Sequence, residues 1–258
     1  MIPKIIHYCW YGHGEKSTAI QMCIESWRKL CPDYKIKEWN EENSPMHIRW
    51  IRDTYKYRKY AFVADYMRFY ALYQDGGIYM DTDMLVVKPI DILLKDNMFI
   101  GMEDQYNANM AIMGMTKGNP FCREVMEYYD QLTFDLVKPP IITRFLTPKL
   151  FQYGFIEEDT TQYLSNGLVV YQSRYFYPIH YTQEFKLNDV YSYQEPNTLC
   201  IHLWNKSWTD EFQLFDAGEY KLGFAEVKKR LKLTPILPFS WWRKVIKYTG
   251  RYLGLWRR

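Results

Sequence analysis

Several things are scarce in this sequence, and each scarcity narrows its chemistry. The five cysteines (Cys9, Cys23, Cys31, Cys122 and Cys200) are odd in number and form no Cys-x-x-Cys pair. This excludes a zinc knuckle or a disulfide framework and fits a reducing compartment. No apolar run approaches the ~18 residues that a membrane span needs. The opening MIPKIIHYCWYG has no long apolar leader segment, so a cytosolic protein is expected. Charge of one sign is also scarce: 33 Lys and Arg against 30 Asp and Glu leave a net +3. That is too little to point to nucleic acid, and no nucleic-acid partner is expected. Up to about residue 233 there is no internal repeat, low-complexity linker or evident domain break.

What is present reads as a globular chain. Hydrophobic residues make up 48% and charged residues 24% of 258 positions, enough for one large domain with a sizeable core. The aromatic share of 18% suits ligand-stacking surfaces or simply a tyrosine-rich core. Strand and helix signals alternate. KIIHYCW (4–10) predicts a strand, and Ser17 or Thr18 caps a helix that stops at Cys31-Pro32. YKIKEWN (34–40) predicts a second strand, and one helical region spans 47–74 up to the Gly76-Gly77 stop. Strands follow at GIYM, MLVV, MFIGM and NMAIMGM, and Asn119-Pro120 opens another helix. This alternation predicts an α/β fold with a mostly parallel sheet, whose ligands sit at the C-terminal ends of strands.

Within QDGGIYMDTDMLVVKP (74–89) two aspartates stand two apart, at the mouth of an apolar strand. In an extended chain Tyr79, Asp81 and Asp83 share one face, while Ile78, Met80, Thr82 and Met84 share the other. Adjacent carboxylates repel unless a hard cation joins them, and oxygen ligands suit Mg²⁺ or Mn²⁺. The preceding segment, KYAFVADYMRFYALYQDGG, is apolar nearly all round, which predicts a buried helix. Yet it carries Asp65 and Arg68 three residues apart. Buried charges must pair or serve a polar site, and both readings stand: a structural ion pair, or a pair reaching a polyhydroxylated ligand.

The opening IPKIIHYCWYG, the long block KYAFVADYMRFYALYQDGGIYMDTDMLVVKPID and the later HLWNKSW together resemble the DxD-containing sugar transferases of glycosyltransferase family 32. That family includes bacterial capsular and exopolysaccharide enzymes and fungal mannosyltransferases, and it is related to the glucosylating domains of clostridial toxins. The likeness covers roughly the first 115 residues and returns near residue 202. It implies a Rossmann-like domain of the GT-A type and retaining, metal-dependent transfer from a nucleotide-sugar, a UDP-sugar rather than a GDP-sugar. The acceptor would be a saccharide or a lipid-linked saccharide, in surface polysaccharide or glycolipid synthesis.

By position, the resemblance assigns Asp83 to a Mn²⁺ or Mg²⁺ ion that bridges the donor diphosphate. Asp81 would meet the ribose, or the ion through water. Asp65 and Arg68 would hold sugar hydroxyls. Trp10 would stack on the base with Tyr79 nearby, or else close the core at the end of its strand. Asn109 is a candidate for the transferring sugar, with Asn107 its competitor and a plain turn role the alternative. His202 is a candidate last metal ligand, and Asn205, Ser207 and Trp208 are expected to fold over the diphosphate. The other histidines have no partner pattern. Two rival readings share these residues, a nucleotide-sugar hydrolase and a catalytically silent sugar- or membrane-binding protein.

From residue 235 the composition changes to PILPFSWWRKVIKYTGRYLGLWRR, aromatic and basic without an acid. A domain of residues 1–234 with a helical tail of 235–258 is therefore expected. Read as a helix from Ser240, it aligns Trp241, Val245, Tyr248, Tyr252 and Leu255 on one stripe and Arg243, Lys247, Arg251 and Arg258 on another. Such a helix suits an anionic membrane surface, with a peripheral location on the inner face, or packs on the domain.

Overall fold

The computed structural model describes residues 1–205, 209–234 and 236–255. Strand β1 (Ile5–Cys9) is followed by α1 (Thr18–Leu30), whose Ser17 side chain accepts a hydrogen bond from the Ile20 N–H, as a helix N-cap should. Next come β2 (Lys35–Trp39), α2 (Arg49–Lys56), α3 (Tyr60–Asp75), β3 (Gly77–Met80) and β4 (Met84–Val86). The middle of the chain supplies β5 (Met98–Met102), β6 (Ala108–Met115), α4 (Pro120–Gln131), α5 (Ile142–Leu150), β7 (Gln162–Tyr163) and β8 (Leu168–Tyr171). Strand β9 (Cys200–His202) and helices α6 (Glu211–Asp216), α7 (Tyr220–Leu233) and α8 (Phe239–Tyr252) complete it.

The main sheet has seven strands in the order β2-β1-β3-β6-β5-β8-β7. Strands β2, β1, β3, β5 and β8 run one way, while β6 and β7 run the other. The expected α/β class and mostly parallel sheet therefore hold. The ends of β1, β3 and β5 and the start of the reversed β6 meet along one rim, which is where an open α/β sheet offers a ligand site.

Alternation sorts the sheet's side chains into two cores. Tyr79, Ile100 and Met113 pack with α3 through Met67 and Leu72, whereas Ile78, Met80, Phe99 and Ile112 pack with α1 through Ile24 and Trp27. Helix α3 is buried on almost every face, as its composition requires, from Phe62 through Leu72. Each fully buried side chain of Leu or Phe size contributes ~1.5–3 kcal/mol, so the sheet and α3 form the stable centre.

Two expectations change. The single helical region over 47–74 is two helices, turned at Arg58, which has φ of 53°. The turn folds α2 back so that Trp50 and Ile51 are buried and the Trp50 indole donates to the Phe62 carbonyl. The run MLVV does not join the main sheet; β4 pairs with β9 in a separate two-stranded sheet.

The inner stripe of the tail takes the second of its two expected courses and packs on the domain. Trp241, Val245 and Tyr248, read as a membrane-facing stripe, are buried instead against α6, with the Tyr248 ring 5.0 Å from that of Phe215. Trp241 belongs to the same core as α3. Arg258 lies outside the described residues.

The Gly76-Gly77 step joins α3 to β3. Gly76 caps α3 by donating to the Leu72 carbonyl, and Gly77 has φ of 111°, a conformation that other residues seldom adopt. A Cβ on Gly77 would lie 2.6 Å from the Ile5 carbonyl oxygen. Beside it, buried His7 faces the Trp39 indole with Nδ1 at 3.1 Å and the Gly76 carbonyl with Nε2 at 2.8 Å. Only a neutral imidazole can accept from the one and donate to the other.

Burial accordingly lowers the His7 pKa from 6.5 to about 4. Between those values the unfolded chain binds the extra proton, so the stability from this residue is complete above pH 6.5 and fades as pH falls toward 4. We expect up to ~3 kcal/mol of stability to be lost over this window through His7 alone. A His7→Gln variant, which keeps an acceptor and a donor, should show a correspondingly flatter decline in urea titrations. Parallel declines would show that His7 is not the group responsible.

Candidate active site

The site grows from the end of β3. The strand stops at Met80, and Asp81 to Met84 form a turn closed by the Met84 N–H on the Asp81 carbonyl. The two carboxylates are thus brought together by a turn, not by a shared strand face as the period-two reading expects. What holds them is more specific than strand pleating.

Arg68 lies behind Asp81, 4% exposed, on the sheet-facing side of α3. Its Nη2 is 3.0 Å from Asp65 Oδ1 and 3.4 Å from Asp81 Oδ1, and its Nη1 donates to the Met110 carbonyl of β6 at 2.7 Å. The guanidinium also lies over the Tyr79 ring, 4.9 Å from its centre, and the Tyr79 hydroxyl donates to Asp81 Oδ1 at 2.9 Å. One cation therefore ties α3, β3 and β6 to the first aspartate. Burial raises the Asp65 pKa to about 7 against the pull of Arg68. Asp81 is likewise pushed up by burial, with Arg68 opposing.

Asp83 is organised from the other end of the chain. Antiparallel pairing of β4 with β9 sets His202 opposite Met84, and the Leu203 N–H donates to the Asp83 carbonyl. His202 Nε2 lies 3.2 Å from Asp83 Oδ1, while the Asn205 backbone N–H donates to Oδ2 at 2.8 Å. Burial alone would raise the Asp83 pKa, but His202 and the Asn205 N–H outweigh it, and the group lies below the usual range. Burial would lower His202, and Asp83 reverses that, so His202 is held above 6.5.

One oxygen of each aspartate and an imidazole nitrogen of His202 lie within 4.8 Å of one another. The carboxylates remain 30% and 13% exposed, open enough to be reached. His202 Nδ1 is buried with no hydrogen-bond partner among the described residues. Two carboxylates and one imidazole, three donors in all, form a set that suits a divalent ion.

The remaining candidates divide. Asn109 is not a turn residue: it lies in β6, where its amide donates to Glu103 at 2.7 Å and its oxygen accepts from the Ala111 N–H and, at 3.3 Å, the Tyr177 hydroxyl. Asn107 is occupied by Asp104 in the preceding loop. Trp10 follows β1 at the same rim, half-buried, with its indole on the Gly14 carbonyl and Lys16 over its ring. Asn205 contributes its backbone, not its amide, to Asp83. Ser207 and Trp208 lie outside the described residues.

Three side chains that sequence reading passed over also stand here. Glu103 directly follows β5 at the rim and is pushed up by burial, while Tyr177 and Trp204 flank the His202 ring, their ring centres 5.6 Å and 4.0 Å from its own. Trp204 adopts φ of 50°, a turn that precedes the Asn205 N–H at Asp83. The signal for Glu103 was available: like Asp81, it is a carboxylate set directly after an apolar strand.

Arg68→Met should be costly, because it leaves Asp65 buried without its cation. We expect a loss of ~3–5 kcal/mol in urea unfolding, the range for breaking a buried pair. A loss below ~1 kcal/mol would mean that Asp65 is neutral in the fold and that Arg68 serves no structural role.

Comparison with known proteins agrees with this arrangement. Residues 17–101, which include Asp65, Arg68, Asp81 and Asp83, match a family described as a glycosyltransferase sugar-binding region containing a DXD motif. The chain is 30% identical over 158 residues to inositol phosphoceramide mannosyltransferase 3 of Schizosaccharomyces pombe, covering 58% of this chain and 43% of that protein. It is 26% identical over 186 residues to a human alpha-1,4-N-acetylglucosaminyltransferase, covering 69% and 50% of the two. It thus spans half or less of the length of these relatives. Among solved structures, a glycosyltransferase involved in glycosylating the major capsid of PBCV-1 overlays 80% of this chain and 96% of its own, at 13% identity and a TM-score of 0.43. Over residues 17–101 the chain is thus similar to a glycosyltransferase sugar-binding region containing a DXD motif.

Proposed function

We propose that this protein transfers a sugar, with retention, from a nucleotide-sugar to a saccharide or lipid-linked saccharide, assisted by a divalent ion. The observation that carries the reading is the convergence of Asp81, Asp83 and His202 on one point, with Arg68 and Asp65 behind them. Asp83 and His202 would hold the ion directly, and Asp81 directly or through water. The mixed oxygen and nitrogen set favours Mn²⁺ over Mg²⁺. When bound, such an ion stabilises negative charge on a departing diphosphate.

This chain's own residues do the rest. Asp65 and Arg68 orient sugar hydroxyls at the inner wall, and Trp10 offers a ring for the base. Glu103 and Asn109 form a polar pair at the same rim, and no carboxylate is assigned as a nucleophile. Same-face transfer is therefore the expected course. A UDP-sugar is the expected donor. The relative named for inositol phosphoceramide supports a lipid-borne acceptor, and the role proposed is surface polysaccharide or glycolipid synthesis at a cytoplasmic membrane face. Among the described residues, no helix is long and apolar enough to cross a membrane.

Calorimetric titration with UDP and Mn²⁺ tests the donor site without knowledge of the acceptor. Asp83→Asn should abolish Mn²⁺-dependent UDP binding while leaving the melting curve near that of the parent. Binding that persists in this variant, or that proceeds equally well in chelator, overturns the ion site. Trp10→Ala should weaken nucleotide binding by ~1–3 kcal/mol, the range for base–aromatic stacking. An unchanged affinity returns Trp10 to a packing role. Turnover of UDP-sugars with and without a glycolipid acceptor then separates transfer from hydrolysis.

A further inference from the structure

Helix α8 has two apolar faces, and only one of them is used by the fold. Trp241, Val245 and Tyr248 are consumed by α6. On the opposite side Phe239, Trp242, Ile246 and Leu253 are 77%, 41%, 56% and 61% exposed. At about 100° per residue these four fall within an arc of roughly 60°. Arg243 and Lys247, both exposed, follow directly along one border of that arc. The helix contains no acidic residue from Phe239 to Tyr252. A surface helix of a soluble domain normally turns polar groups outward; here large apolar groups and a row of cations point the same way.

We infer that this outer face of α8 is a docking surface for an anionic lipid bilayer. The apolar arc would enter the boundary between headgroups and acyl chains, while Arg243 and Lys247 meet phosphates at its edge. Charge complementarity selects this occupant. A second copy of the chain would bring the same cations against one another, with no acid on the helix to meet them. Ile236, just before the helix, is also 72% exposed. The surface bears on the lipid-borne acceptor proposed above, but its test reads binding and not turnover, so each can fail without the other.

The test is sedimentation of the intact protein with vesicles of phosphatidylcholine, alone or mixed equally with phosphatidylglycerol. The parent should bind the mixed vesicles preferentially and lose binding in high salt. The variant Phe239→Ser/Trp242→Ser/Ile246→Ser should bind at least about tenfold more weakly, with an unchanged circular dichroism melt. Arg243→Gln/Lys247→Gln should lose the preference for phosphatidylglycerol, a change of about tenfold. Equal binding by parent and triple variant overturns the proposal. So does a parent that is dimeric in solution and becomes monomeric through the triple substitution, because the face is then an interface between copies.

Discussion

A single guanidinium, that of Arg68, connects the hydrophobic centre of this protein to its candidate chemistry. It is almost wholly buried, and such a charge survives only with several acceptors around it. Those acceptors come from three elements: Asp65 on its own helix, the Met110 carbonyl of β6, and Asp81 beyond β3. Satisfying the cation thus fixes the position of the turn that carries both aspartates. The packing of α3 against the sheet is at the same time the positioning of the site. That coupling explains why a helix otherwise apolar on every side retains two charged residues.

A second constraint comes from the small sheet. Without β9 the turn after Asp81 would have one well-held carboxylate and one free one. The β4–β9 pairing brings His202 and the Asn205 N–H to Asp83 from more than a hundred residues away in sequence. The two aspartates consequently differ in character although only Thr82 separates them. Asp81 is held by a buried cation and a phenol and is pushed up by burial, whereas Asp83 is held by a histidine and a backbone donor and pulled down. Their environments thus push the two carboxylates in opposite directions.

What the sequence made legible follows the range of each interaction. Local signals were readable: the Ser17 and Asn119 caps, the Gly76-Gly77 stop and the period-two alternation of Ile78, Tyr79 and Met80 all appear in the structure. The pairing of Asp65 with Arg68 was readable as well, since three-residue spacing on a buried helix leaves little else for either charge to do. Long-range facts were not. Nothing in MLVV distinguishes a strand of the main sheet from one that leaves it to meet β9. Glu103 and Tyr177 reach the site only because β5, β6 and the segment after β8 converge there. The tail's two readings stayed open for a related reason: its apolar residues occupy two faces, and only α6 decides which of them is inside.

The tail is joined to the site by a chain of contacts that runs through α6. The Trp241 indole and the Arg230 guanidinium both donate to Glu211, the first residue of α6. Its neighbour Asp210 caps that helix and lies 3.4 Å from buried Lys59, which opens α3. Lys59 is pulled down by burial, with Asp210 opposing, so this ion pair is held in place by the packing around it. From Lys59 the rigid course of α3 leads directly to Asp65 and Arg68. Helix α8 is therefore not a tether hanging from a finished domain. Its inner face is built into the frame that positions Asp65 and Arg68. A lipid surface meeting its outer face would hold the rim of the sheet at a set orientation and height, which is what an enzyme acting on a membrane-borne acceptor requires.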